Sequence, residues 1–217
     1  MARSALDREI SRIKRDLGSM SELVQKALND AMVALRTRDL ELSQKVIDLD
    51  NEEIDVLYKE IEERCIQCIA LHQPVAGDLR FISTVINVAV DVERIGDYAK
   101  DIARIVPFIV DEKPSDAEKI LQEMGGIVKI MVRDSIDSFI NKDKEMFPHV
   151  VSDEEKVDAL YGSIFPKLKE TAESKNCNIS LSLNLLLVGR CLERSGDHAI
   201  NVSRRAMYVI RGVWEYL

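Results

Sequence analysis

The sequence predicts an all-α protein built as a tandem pair of three-helix bundles, with six long antiparallel helices. Three observations carry that reading. Apolar residues recur at alternating three- and four-residue steps almost throughout the 217 residues, which marks the seam of a helical bundle. Gly and Pro number only 9 and 5, too few for the turns of a many-stranded sandwich or barrel. Motifs of the first half recur in the second at offsets of 100 to 104 residues, the mark of an internal duplication. The apolar share of 46% is too high for a disordered chain.

The first helix is expected over 4–37, where Leu6, Ile10, Ile13, Leu17, Met20, Val24, Leu28, Ala31 and Leu35 form the apolar face. Thr37–Asp39 ends it. The second is expected over 40–72 and closes at His72–Pro74, because proline cannot continue a helix. Its Cys65 and Cys68 form a CxxC, but they share an apolar stripe with Ile61 and Leu71. With no second CxxC, core packing is preferred to a zinc or redox site.

The third helix is expected over 75–107, with Phe81, Val85, Val88, Val92, Ile95, Ala99, Ile102 and Val106 in the seam. The link Pro107–Ser115 holds two prolines and sits at mid-chain. It divides a first bundle, 1–108, from a second, 115–217. The fourth helix is expected over 115–141 and the fifth over 144–175. Pro166 falls inside the fifth, where a lost hydrogen bond and a ring clash cost about 3 kcal/mol, so a kink or a break into two pieces is expected. A break at Lys175–Asn178 precedes the sixth, 179–213. Short links between helices of such length force antiparallel neighbours.

The duplication is explicit. Glu93-Arg94-Ile95-Gly96-Asp97-Tyr98-Ala99 returns as Glu193-Arg194-Ser195-Gly196-Asp197-His198-Ala199. Asp50 to Tyr58 returns as Asp153 to Tyr161, and Met20 and Val24 as Met124 and Val128.

The formal charge of −8 is spread over both halves: 15 basic and 20 acidic residues precede Pro107, and 15 and 18 follow. Neither half is basic, so a nucleic-acid footprint is absent. The N-terminus is charged from Arg3 and has no apolar core region, and apolar stretches stay near ten residues where a spanning helix needs about twenty. Four cysteines, Cys65, Cys68, Cys177 and Cys191, form no disulfide framework. The expected location is cytoplasmic. No Gly-rich phosphate loop, nucleophile elbow or HExxH is present, so no enzyme is suggested.

The acid excess suits solubility or cation binding, and position favours one of them. Glu93, Asp97 and Asp101 lie at i, i+4 and i+8 on one helix face, as do Glu193, Asp197 and Asn201. With Val92 and Leu192 at heptad position a, these residues fall at b, f and c, away from the seam. The plain reading is a solvated outer face threaded by Arg94, Lys100 and Arg104. Against it, like charges at i, i+4 repel, and the spacing occurs twice in one register. Gly96 and Gly196 sit mid-helix at a cost of about 1 kcal/mol each relative to Ala, as close approach of a neighbour would require. The second helix of each half adds Asp50 and Asp55, then Asp153 and Asp158. Together these oxygens suit a hard cation such as Mg, Mn or Fe. His198 is a candidate nitrogen donor, set against a merely solvated histidine. His72 and His149 read as helix-end residues.

Gln73-Pro74-Val75-Ala76-Gly77-Asp78-Leu79-Arg80, with Asp91-Val92-Glu93-Arg94-Ile95-Gly96-Asp97-Tyr98-Ala99 and Leu192-Glu193-Arg194-Ser195-Gly196-Asp197-His198-Ala199-Ile200-Asn201, resembles the PhoU family of phosphate-uptake regulators over nearly the whole chain. The resemblance implies two three-helix bundles carrying iron or zinc clusters on their surface. It implies Glu93, Asp97, Glu193 and Asp197 as ligands, with Asp101, Asn201, Asp55 and Asp158 as further candidates and Asp50 and Asp153 less so. Asp101 stands where the family commonly has Asn, and Ser195 replaces the usual Ile. It further implies a negative regulator of the phosphate-starvation response, an adaptor between the ATPase subunit of a phosphate ABC transporter and a membrane sensor histidine kinase. The membrane would then be reached only through partners.

Two other readings stand beside this one. A ferritin-like di-metal enzyme needs inward ligands and Glu-x-x-His pairs, and no Glu here is followed by His three residues later. A helical scaffold without metal is the second. The oligomeric state is open, a homodimer being one option.

Overall fold

The computed structural model describes residues 2–172 and 179–214. The expected break at Lys175–Asn178, the end of the fifth helix at 175 and Cys177 lie outside the described residues. Among those described, the chain is helical and without strands. The helices are α1 (Ala2–Thr37), α2 (Leu40–Leu49), α3 (Asp55–His72), α4 (Ala76–Ile105), α5 (Asp116–Asn141), α6 (Phe147–Ala172) and α7 (Ile179–Arg211).

Local chemistry sets the ends. Asp39 caps α2 by accepting from the Leu42 amide at 2.9 Å, satisfying a donor the first turn leaves open. At α5 the Glu118 carboxylate accepts from the Ser115 amide at 3.0 Å, one limb of a capping box. Arg38 and Lys142 follow α1 and α5 with φ of 59° and 56°. After them Asp39 N donates to Ala34 O and Asp143 N to Ser138 O, at 3.1 and 3.0 Å. The same left-handed helix ending thus recurs at an offset of 104 residues.

One expectation about the second helix is corrected. The span 40–72 is not a continuous α-helix: Asp50–Ile54 forms a π-turn between α2 and α3. Apolar periodicity is blind to one extra residue in one turn. Of the two outcomes expected at Pro166, a kink or a break into two pieces, the break does not occur, for α6 runs through it.

The first half packs α1 and the α2–α3 helix against α4, and the second packs α5 and α6 against α7. The halves then join, α4 on α7 and α1 on α5. Met20, Val24, Met124 and Val128 are all fully buried, as repeat equivalents in a seam should be. Phe81 of α4 stacks on Phe139 of α5 at 5.2 Å, a contact between halves. Although the mid-chain link divides the repeats, buried side chains of both form one continuous core. Each large side chain fully buried there contributes roughly 1.5–3 kcal/mol. Cys65 and Cys68 belong to that core. None of the described helices is long and apolar enough to cross a membrane.

Candidate functional site

In the first half, α4 presents Glu93 and Asp97 toward the π-turn and the start of α3. Both carboxylates are largely covered, with side-chain exposures of 19% and 27%. This corrects the outer-face expectation, since the neighbouring helix shields them. Asp101, one turn on, is exposed and pairs with Arg104 at 3.1 Å. Asp55 is half-buried at the first turn of α3.

Asp50 is the residue the sequence undervalued. It is fully buried, and the π-turn is the cause. In a regular α-helix, residues five apart are separated by about 140° around the axis. In the π-turn the Asp55 amide donates to the Asp50 carbonyl, so the two residues come round to nearly one face. Asp153 and Asp158, equally spaced on the uninterrupted α6, do not. Asp153 keeps contact with solvent and pairs with Lys156 at 2.7 Å, while Asp158 is exposed.

Lys100 completes the first cluster. Its Nζ donates to Asp50 Oδ2 and lies 2.8 Å from Asp97 Oδ1. Burial alone would lower the ammonium pKa, but these carboxylates outweigh it and hold it above its ordinary value. Burial also raises the Asp50 carboxyl, and Lys100 opposes that. Glu93 is raised by burial first and by Asp97, Asp55 and Asp50 after it. Asp50 Oδ1 is buried without a hydrogen-bond partner among the described residues.

In the second half, Arg194 repeats the role of Arg94. Arg94 lies 3.1 Å from Asp97 and 3.6 Å from Glu93; Arg194 lies 3.2 Å from Asp197 and 3.6 Å from Glu193. Asn201 accepts from Arg204 at 3.5 Å. Burial raises Glu193, followed by the charges of Asp197 and Asp158. Sequence reading passed over Glu154, whose carboxyl is raised by burial and then by Asp158 and Asp197. Its signal was present: Glu154 stands four residues before Asp158, the same spacing as Glu193–Asp197. Glu193 Oε2 is buried and has no hydrogen-bond partner among the described residues.

The two clusters differ in their fit to a cation. In the second, four mutually repelling carboxylates suit a hard ion, with the Arg194 guanidinium 3.6 Å from Glu193 Oε2. In the first, an ammonium already bridges Asp50 and Asp97. Among the described residues, no three His, Cys, Asp or Glu side chains form a ready-made cage. Of the sulfur donors that zinc prefers, Cys65 and Cys68 are in the core.

His198 is also engaged. Its Nδ1 meets Asp91 Oδ1 at 2.9 Å, and its ring lies 5.9 Å from that of Tyr98, its repeat equivalent. Arg205 Nε donates to the other Asp91 oxygen at 2.8 Å. Asp91 is 5% exposed, so this cluster pins α4 to α7 and the histidine is no solvated bystander. A cavity of about 610 Å³ lies between the 111–116 link and Leu168, Leu181 and Leu185, away from both acidic clusters.

Comparison with known proteins gives one consistent result. A family model described as the PhoU domain matches twice, over residues 17–106 and 121–206. A Clostridium acetobutylicum protein named phosphate-specific transport system accessory protein PhoU homolog is 33% identical over 98% of this chain and 97% of its own. An Aquifex aeolicus protein of the same name is 38% identical over 95% and 93%. The crystal structure of PhoU from Pseudomonas aeruginosa superposes with a TM-score of 0.89 at 32% identity, covering 95% of this chain and 99% of that one. That of the phosphate transport system regulatory protein PhoU from Streptococcus pneumoniae gives 0.87 at 24% identity, over 98% and 100%, and bears on the fold alone.

Proposed function

The chain belongs to the PhoU family, and on that footing we propose that it regulates phosphate uptake and phosphate-starvation signalling as a cytoplasmic adaptor. One observation carries this reading: relatives named as accessory proteins of the phosphate-specific transport system match nearly end to end. A role in phosphate transport regulation follows from them. The finer reading is that the adaptor joins the transporter's ATPase subunit to a sensor histidine kinase, holding the kinase in its repressing state when phosphate is ample. Long helices with polar outer faces suit such docking. The acidic surface disfavours direct contact with DNA.

The acidic clusters are part of this proposal as cation sites. Glu154, Asp158, Glu193 and Asp197 would hold a divalent ion in the second half. Their oxygens suit iron, Mg or Mn better than zinc. A bound ion would neutralise the cluster and tie α6 to α7. Capture tests the adaptor reading. Tagged protein is mixed with the host's transporter ATPase and sensor kinase, at high and low phosphate. Retention of both is expected, and failure to retain either at both phosphate levels overturns it.

A further inference from the structure

The duplication supplies an internal control for the acidic clusters. Glu93, Arg94 and Asp97 have exact counterparts in Glu193, Arg194 and Asp197, with matching ion-pair distances. The position of Lys100 does not. Its counterpart is Ile200, a buried apolar residue. The partner beneath differs in the same sense. Asp50, under Gly96, is fully buried, whereas a β-carbon at Gly196 would meet Val157 and Met131.

The geometry points to Lys100 as the resident cation of the first cluster, so that a divalent metal ion is taken up by the acids of the second half alone. This rests on the reading of the acids as cation sites. The lysine arrives along α4 and places its ammonium between Asp50 and Asp97. A metal ion there would meet a like charge a few ångströms away. Displacing the ammonium would strip a fully buried carboxylate of the one charged hydrogen-bond donor it has among the described residues. Such a group is costly to leave alone. Asn51 Oδ1, 3.5 Å from the same nitrogen, strengthens the hold. In the second half Ile200 supplies no charge, and Glu193 Oε2 has no hydrogen-bond donor among the described residues, the Arg194 guanidinium standing 3.6 Å away as Arg94 does from Glu93. Beyond the arginine common to both, the repeat thus carries one cluster bridged by an ammonium of its own and one that draws its further cation from solution.

The test uses full-length protein and Mn²⁺, with uptake read by electron paramagnetic resonance of the free ion and by elemental analysis after dialysis. Glu193→Gln with Asp197→Asn is expected to weaken Mn²⁺ uptake by at least about tenfold, the lower end of what even outer-shell substitutions cost. Uptake that persists at wild-type affinity in that double variant overturns the proposal, because it places metal in the half that holds Lys100. Adding Lys100→Met to the double variant is expected to create uptake in the first half, and a folded triple variant without uptake overturns it. Where the triple variant does not fold, Ile200→Lys in the wild-type background decides. It is expected to abolish uptake, and retention overturns the proposal. Wild-type protein that takes up no Mn²⁺ also overturns it, while the capture experiment for the adaptor role is unaffected.

Discussion

Asp50 packs directly against Gly96: a β-carbon at position 96 would stand 2.8 Å from Asp50 Oδ1 and 3.2 Å from the Ile54 side chain. The mid-helix glycine is therefore required by a buried carboxylate. A β-carbon at Gly196 would meet Val157 and Met131 at 3.6 and 3.7 Å, ordinary contact. Gly96→Ala is expected to destabilise by about 1–3 kcal/mol through overpacking. Gly196→Ala should be neutral or stabilising by up to about 1 kcal/mol, the helix propensity regained. Urea unfolding of the two variants separates them, and equal effects would contradict the packing argument.

The Asp91 carboxylate holds both His198 and Arg205 across the α4–α7 seam. Asp91→Ala leaves two shielded donors without their acceptor and is expected to cost about 2 kcal/mol. Arg205→Ala should cost less, since its side chain keeps partial access to water. A double-mutant cycle between them should give a coupling of about 0.5–3 kcal/mol, the range for residues in direct contact. A coupling of zero would show that the seam does not depend on this pair.

Glu93, Glu154 and Glu193 all titrate above the ordinary glutamate range, burial being the first cause in each. A carboxyl raised by folding binds its proton more tightly in the native state. The stability it contributes is present below the unfolded value of about 4.3 and is lost as pH rises through the folded one. Asp50 acts with the same sign. Asp116, lowered by Lys119, acts oppositely but is wholly exposed and weak. Replacing the three glutamates by glutamine should therefore flatten the fall of unfolding free energy with pH above that value. Chemical denaturation across the acid range, in metal-free buffer, checks the slope.

Burial pushes the Cys65 and Cys191 thiols up to about 12 and raises Cys68 as well. The thiolate is the reactive form, so these three should resist iodoacetamide at neutral pH in the native protein. They should label fully in denaturant. Mass spectrometry of the peptides gives the answer, and rapid native labelling of Cys65 would revive a redox role for the CxxC.

Much of the fold was legible because it rests on repetition. The three-four spacing of Phe81, Val85, Val88 and Val92 places them in the core, where they are buried. Gln73, Pro74 and Val75 stop α3 and start α4, and Gln73 adopts the left-handed conformation that ends a helix. The paired Glu93–Asp97 and Glu193–Asp197 were visible as a pattern. Glu154 was legible by the same spacing to Asp158, whereas Lys100 and Asp91 were not, because each matters through a partner on another helix.

The sequence by itself determined the helices, the duplication, the acidic residues in register and the family to which they point. These follow from short-range periodicity and local motifs. Tertiary structure alone decided the difference between the two acidic clusters. A single π-turn rotates Asp50 inward beneath Gly96, and Lys100 reaches across from α4 to meet it. The linear spacing of Asp50–Asp55 equals that of Asp153–Asp158, so no count along the chain separates them. Burial and charge compensation do, because both depend on which side chains a fold brings face to face.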